Sequence, residues 1–172
     1  MNEGYENALE AQVGAWLRRR DMKLVVAESC TGGLVGHRIT DVPGSSEYYL
    51  GSVVAYAYEA KERLLGVRHE TLMRYGAVSQ EVVLEMARGA REVLSGDFPL
   101  DRLIGASVSG IAGPGGGLPG KPVGTVWIGL SAPDREGAWK FLWNGDRAEN
   151  KLLSAEQLLR LVLDYLQGRL AE

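Results

Sequence analysis

Residues 22–40 read MKLVVAESCTGGLVGHRIT. Met22 to Ala27 is a short apolar run rich in β-branched residues, which favours a buried strand. SCTGG breaks it at once, and LVGHRIT resumes a helical pattern. The unit is strand, tight turn, helix, and its junction exposes Ser29 at a strand end with backbone N–H groups close by.

The same alternation continues outward. Upstream, Tyr5, Leu9, Gln12, Val13, Trp16 and Leu17 fall near helical spacing. Arg18, Arg19 and Arg20 close that segment, where cations suit the negative helix end, so a first helix is expected over residues 4–20. Downstream, YYLGSVVAYAY (48–58) reads as a strand running into the helical stretch EAKERLLG, with Lys61 in the first helical turn. Ser79 caps a helix whose Val82, Val83, Met86, Ala87, Ala90 and Leu94 form one stripe. RLIGASVSG, PVGTVWIGLSA and GAWKFLWN give three more strands, and residues 147–170 an amphipathic leucine-rich helix. Helices before, between and after mostly buried strands imply an α/β fold: a three-layer α/β/α sandwich with a mixed central sheet, whose strand order the pattern does not give.

Length and composition bound the function. A chain of 172 residues has the size of a single domain, here taken over residues 1–172. Hydrophobic residues make up 45% and charged residues 24%, an ordinary globular balance. No apolar run reaches the ~20 residues of a membrane helix, and the first residues lack the basic-then-apolar order of a signal peptide, so the cytoplasm is the expected compartment. The single cysteine forms no internal disulfide, and one cysteine with two histidines makes a zinc site a poor reading. A net charge of -3 argues against a nucleic-acid surface and towards a small-molecule partner.

Residues 113–122, GPGGGLPGKP, place Gly115, Gly120 and Lys121 at the spacing of a triphosphate loop. Such a loop must enter a helix and follow its lysine with a hydroxyl for Mg²⁺. Here Pro122 and the β pattern VGTVWIGL follow instead, so the spacing is coincidental. A surface hairpin and a backbone anion nest in SGIAGPGGG both remain open.

Ser29 reads either as a nucleophile or as a polar turn residue capping the next helix. His37 falls inside the following helix and His69 at a loop or helix start, neither suited to a Ser-His-Asp arrangement. Cys30 as a thiol nucleophile lacks a partner for the same reason. A lysine whose pKa burial lowers can replace histidine as base, and Lys61 is the candidate, against the alternative of a solvated lysine in a charged run. Residue chemistry therefore reaches a Ser/Lys hydrolase and no further.

AESCTGG, VVAYAYEAKERLLGV, GAVSQE, SGIAGPGGG, KPVGTV and GDR, in this order, resemble the C-terminal domain of the CinA (competence/damage-inducible) family, also found as stand-alone nicotinamide mononucleotide amidohydrolases of the PncC type. The resemblance covers residues 5–168. It implies hydrolysis of the carboxamide of nicotinamide mononucleotide to nicotinate mononucleotide and ammonia, without metal or organic cofactor. Carried onto this chain, Ser29 is the nucleophile, Lys61 its base and Tyr56 a hydroxyl in the same hydrogen-bonding group. Amides near Cys30, Thr31 and Gly32 hold the oxyanion. Thr31, Gly32 and Gly33, with Ser109, Gly110, Ala112 and Gly113, receive ribose and phosphate, and Arg147 and Lys121 add charge. A homodimer or higher homo-oligomer is expected from the same resemblance.

The sequence departs from the family's usual glycine at Ser52, asparagine at Tyr58 and arginine near Lys151. Tyr58, read as sharing a strand face with Tyr56, is expected to narrow the ribose or ring pocket. A weakly catalytic mononucleotide-binding or assembly module is the alternative function.

Overall fold

The computed structural model describes residues 8–170. Five strands form one sheet: β1 (Lys23–Glu28), β2 (Tyr49–Val54), β3 (Leu103–Gly110), β4 (Thr125–Ser131) and β5 (Glu136–Leu142). Their order is β2-β1-β3-β4-β5. β1 pairs parallel with β2 and β3, whereas β3–β4 and β4–β5 are antiparallel, so the sheet is mixed.

Six helices cover it: α1 (Leu9–Arg19), α2 (Leu34–Thr40), α3 (Tyr58–Leu65), α4 (His69–Tyr75), α5 (Gln80–Leu94) and α6 (Arg147–Leu166). Alternate residues of the central strands divide between two cores, as the two-residue period of a strand requires. Leu24 and Val26 of β1, with Ile104, Ala106 and Val108 of β3, pack against Val13, Leu17, Val35, Leu158 and Val162 of α1, α2 and α6. Val25, Ala27 and Leu103 face the other way, onto Leu65, Leu72, Val82, Met86 and Ala90 of α3, α4 and α5. Three layers result, and Leu24–Ala27 of β1 form an unbroken apolar run because both faces of the strand are covered.

The caps are local. The Ser79 hydroxyl accepts from the Val82 N–H at 3.4 Å, starting α5 where the sequence places it. Asp146 accepts from the Glu149 N–H while the Glu149 carboxylate accepts from the Asp146 N–H, a capping box that fixes the start of α6.

Three expectations change. The first helix begins at Leu9 and ends at Arg19, and Tyr5 lies outside the described residues. The strand expected over residues 48–58 ends at Val54, and Tyr58 is the first residue of α3. Tyr56 and Tyr58 therefore do not share a strand face. Their alternating pattern suits a strand, but β1 ends at Glu28, opposite Val54, and leaves nothing further to pair with.

Candidate active site

β1 delivers Ser29 to the end of the sheet. The Ser29 N–H donates to the Val108 carbonyl at 3.0 Å, extending the β1–β3 ladder by one bond and fixing the serine beside the end of β3. The chain then turns through Gly32 and Gly33, whose φ of 64° and 99° suit glycine, into α2.

Glu28 governs this turn. Its carboxylate is fully buried. Oε2 accepts from Thr31 Oγ1 (2.7 Å) and from the N–H groups of Gly33 (2.9 Å) and Val35 (3.1 Å), and Oε1 accepts from the Gly36 N–H (2.9 Å) and Ser52 Oγ (3.2 Å). A buried carboxylate is tolerated when donors surround it, and these include the N–H groups that the first turn of a helix leaves unpaired. Gly32 N–H is also spent, on the Ser29 carbonyl. Among the described residues, no backbone acceptor takes the N–H of Cys30 or Thr31, which follow Ser29 directly, and the Cys30 N–H faces its own thiol.

Lys61 comes from α3 on the opposite side. It is fully buried, and its Nζ lies 2.9 Å from Ser29 Oγ, 2.8 Å from the Ala55 carbonyl and 2.9 Å from the Tyr56 carbonyl. Burial lowers its pKa from the ordinary 10.5 to about 8, with the neighbouring Cys30 thiol opposing that shift. Burial pushes the Cys30 thiol up to about 12, so Cys30 is a thiol rather than a thiolate near neutrality. The two histidines stand elsewhere: exposed His37 faces Asp41 at 3.7 Å, and exposed His69 opens α4 beside Glu62 at 2.8 Å.

The glycine-rich segment forms the next wall. Gly110 packs so close to Cys30 that a Cβ there would lie 3.2 Å from Sγ. Ser109 is almost fully buried and its hydroxyl makes no hydrogen bond among the described residues. Two side chains of α6 hold the loop from beyond the sheet: Asn150 Nδ2 donates to the Ala112 carbonyl at 3.0 Å, and Arg147 donates to the Gly113 carbonyl at 2.6 Å. Arg147 also donates to the Tyr56 hydroxyl at 3.3 Å. Tyr56 thus gives Lys61 its carbonyl, while the residue as a whole is 63% exposed and its hydroxyl accepts from Arg147. Leu118 and Lys121 exchange both backbone hydrogen bonds, so GPGGGLPGKP closes a tight hairpin turn that leads into β4, with no helix after the lysine.

Residues 6–166 match the family model described as the CinA C-terminal domain. The chain belongs to the CinA C-terminal domain family. A CinA-like protein of Salinibacter ruber is 50% identical over 151 residues, covering 88% of this chain and 35% of that protein. A putative competence-damage inducible protein of Halothermothrix orenii is 45% identical over 163 residues, covering 94% of this chain and 38% of that protein. The chain therefore spans little more than a third of the length of these relatives. Crystal structures of a CinA superfamily protein from Klebsiella pneumoniae and of a competence or damage-inducible protein from Enterobacter asburiae each superpose with a TM-score of 0.84, at 31% and 32% identity. They cover 93% of this chain, which spans 96% and 99% of theirs.

Within this CinA domain, the structure brings Ser29, Cys30, Lys61, the Tyr56 carbonyl, Ser109 and Gly110 together, with Gly113 and Arg147 at the rim. The Thr31 hydroxyl is turned inward to Glu28, which leaves that residue its N–H for the site. Ser52 donates into the Glu28 cluster, and the Tyr58 hydroxyl accepts from the Ala77 N–H at 3.2 Å, tying α3 to the loop before α5. Lys151 lies in the second turn of α6. Sequence reasoning missed Glu28 and Asn150. Both carried a signal: a carboxylate closing an apolar strand, and an amide on the buried Asn150–Ser154–Leu158 stripe of a leucine-rich helix.

Proposed function

We propose that this CinA domain is an amidohydrolase that converts nicotinamide mononucleotide to nicotinate mononucleotide and ammonia, with Ser29 as nucleophile and Lys61 as base. The observation that carries this reading is that Lys61 Nζ lies within hydrogen-bond distance of three groups, the Ser29 hydroxyl and two backbone carbonyls. A neutral amine has two hydrogens and one lone pair. The Ala55 and Tyr56 carbonyls can only accept, so they take both hydrogens and the lone pair is left for the Ser29 hydroxyl. A pKa near 8 keeps a useful fraction of that amine neutral at physiological pH.

In the first half-reaction Lys61 removes the Ser29 proton as Oγ attacks the carboxamide carbon. The developing oxyanion is met by the N–H groups of Cys30 and Thr31, which no backbone carbonyl takes. Collapse of the tetrahedral intermediate breaks the C–N bond, and Lys61 returns its proton to the departing nitrogen, which leaves as ammonia. Water then attacks the ester with Lys61 again as base, and release of Ser29 yields the carboxylate. Arg147, held on Gly113, and the Tyr56 hydroxyl stand at the entrance.

Ammonia release from nicotinamide mononucleotide, nicotinamide adenine dinucleotide and free nicotinamide tests this. Turnover of the mononucleotide, abolished by Ser29→Ala and by Lys61→Ala in folded protein, is the expected result. Binding of the mononucleotide without ammonia release would instead identify a binding module.

A further inference from the structure

Beyond Ile111 the chain leaves the sheet. The Ile111 N–H donates to the Thr125 carbonyl at 2.9 Å, and the Ile111 carbonyl accepts from the Gly124 N–H at 2.7 Å. Among the described residues, 112–117 then make no backbone–backbone hydrogen bond, and the next one comes at Leu118. The wall beside Cys30 is therefore attached by side chains. Asn150 and Arg147, one turn apart on α6, hold the consecutive carbonyls of Ala112 and Gly113. The two attachments are unequal. Arg147 is exposed, whereas Asn150 is buried, and breaking a buried hydrogen bond leaves its partners without water to replace it.

Asn150 has a second arm. Its Oδ1 accepts from the Gly145 N–H at 3.1 Å while Nδ2 donates to Ala112 at 3.0 Å, so one amide joins the wall to the turn between β5 and α6. A carbonyl only accepts and an N–H only donates, so these two partners fix which way the amide points. The residue is also set from behind. Its own carbonyl accepts from the Ser154 hydroxyl at 2.6 Å, and that hydroxyl accepts from Trp143 Nε1 at 3.0 Å.

We propose that Asn150 is a positioning residue of the candidate active site: through Ala112 it keeps the glycine-rich wall closed against Cys30, and through Gly145 it sets that wall and Arg147 on one frame for the substrate. Its effect on substrate rests on the amidohydrolase reading; the closing of the wall does not.

Cys30 is the chain's single cysteine and Gly110 of this wall packs against it, so its thiol reports opening without any substrate. The experiment measures labelling of Cys30 by dithiodipyridine in the wild type, Asn150→Leu, Asn150→Asp and Met86→Ala, at urea concentrations below the unfolding transition. Losing a buried hydrogen bond shifts a local opening by about tenfold or more. The expected result is labelling about tenfold or more faster than wild type in both Asn150 variants at neutral pH, at a rate nearly independent of urea because local opening exposes little surface. Met86→Ala, in the core on the other face of the sheet, should accelerate labelling only in step with urea, through global unfolding.

In Asn150→Asp an ionised carboxylate still accepts from Gly145 but opposes the Ala112 carbonyl, whereas a protonated one has an O–H for that carbonyl and remakes both bonds. Burial raises such a carboxyl, so the excess over wild type should fall towards unity between about pH 7 and about pH 5. Prepared at acid pH, this variant decides the matter even if Asn150→Leu does not fold. With nicotinamide mononucleotide as substrate, both variants should raise KM about tenfold and change kcat less than about twofold, since β1 and α3 still hold Ser29 and Lys61. Labelling at the wild-type rate, acceleration that follows urea as in Met86→Ala, or an unchanged KM in a chain that releases ammonia overturns the proposal. Absence of ammonia release from the wild type defeats the amidohydrolase reading alone, and the labelling rates still decide the role of Asn150.

Discussion

At the residue scale the decisive group is Lys61. Its pKa near 8 makes the neutral amine the minority form at pH 7. We predict that kcat/KM rises about tenfold per pH unit below about 8 and levels off above it, measured by ammonia release. A profile flat from pH 6 to 9 would remove Lys61 from the role of base. The same shift links folding to pH. Between about 8 and the ordinary 10.5 the unfolded chain holds a proton that the folded chain has released, so stability rises with pH across that window. Below about 8 both states are protonated and the cost of burying the ammonium is fully present. Lys61→Met should flatten this rise in urea unfolding curves measured at successive pH values. The pairing of Lys61 with Ser29 was legible in the sequence as residue types at a strand end and a helix start. The role of Tyr56 was not, because a carbonyl contact depends on where the backbone turns and not on which side chain it carries.

At the scale of elements, the turn from β1 into α2 is organised by one carboxylate. Every backbone partner of Glu28 is a donor, and both of its oxygens face such donors. Glu28→Gln would force an NH₂ group against a backbone N–H, so it is not a conservative change. We predict a loss of about 2–4 kcal/mol in unfolding free energy, together with a fall in kcat as the Cys30 and Thr31 amides lose their setting. Full stability and full kcat in Glu28→Gln would refute the idea that the charge organises this turn. At the far side, the capping box of α6 precedes Arg147 immediately. Asp146→Ala should cost about 1 kcal/mol and loosen the Arg147 contact with Gly113, raising KM more than it lowers kcat. The starts of α2, α5 and α6 were readable because capping and periodicity are local, whereas α6 ends at Leu166, short of the expected residue 170. The end of β2 was not, since a strand stops where its neighbour stops.

At the scale of the whole molecule, two apolar cores lie on opposite faces of the same central strands. Leu158→Ala on one side and Met86→Ala on the other should each cost about 2–5 kcal/mol and shift one shared urea transition, because β1 and β3 belong to both cores. A second transition in either variant would show that the layers unfold separately. The candidate site groups gather where β1 and β3 end together: Ser29 follows one strand, Ser109 stands just before Gly110 at the end of the other, and α3 and α6 contribute Lys61 and Arg147 from separate layers. The sequence by itself determined the strand–turn–helix unit at Ser29, the α/β class, the glycine-rich wall, the failure of the triphosphate motif and the family. All of these rest on neighbouring residues or on order along the chain. Only the tertiary structure decided the strand order, the three partners of Lys61 and the five donors around Glu28. Strand order and the approach of Lys61 to Ser29 are distances between segments far apart in the chain, set by sheet register and helix packing, while the Glu28 donors Thr31, Gly33, Val35 and Gly36 are near neighbours whose hydroxyl and N–H groups reach the carboxylate only because of the path the backbone takes.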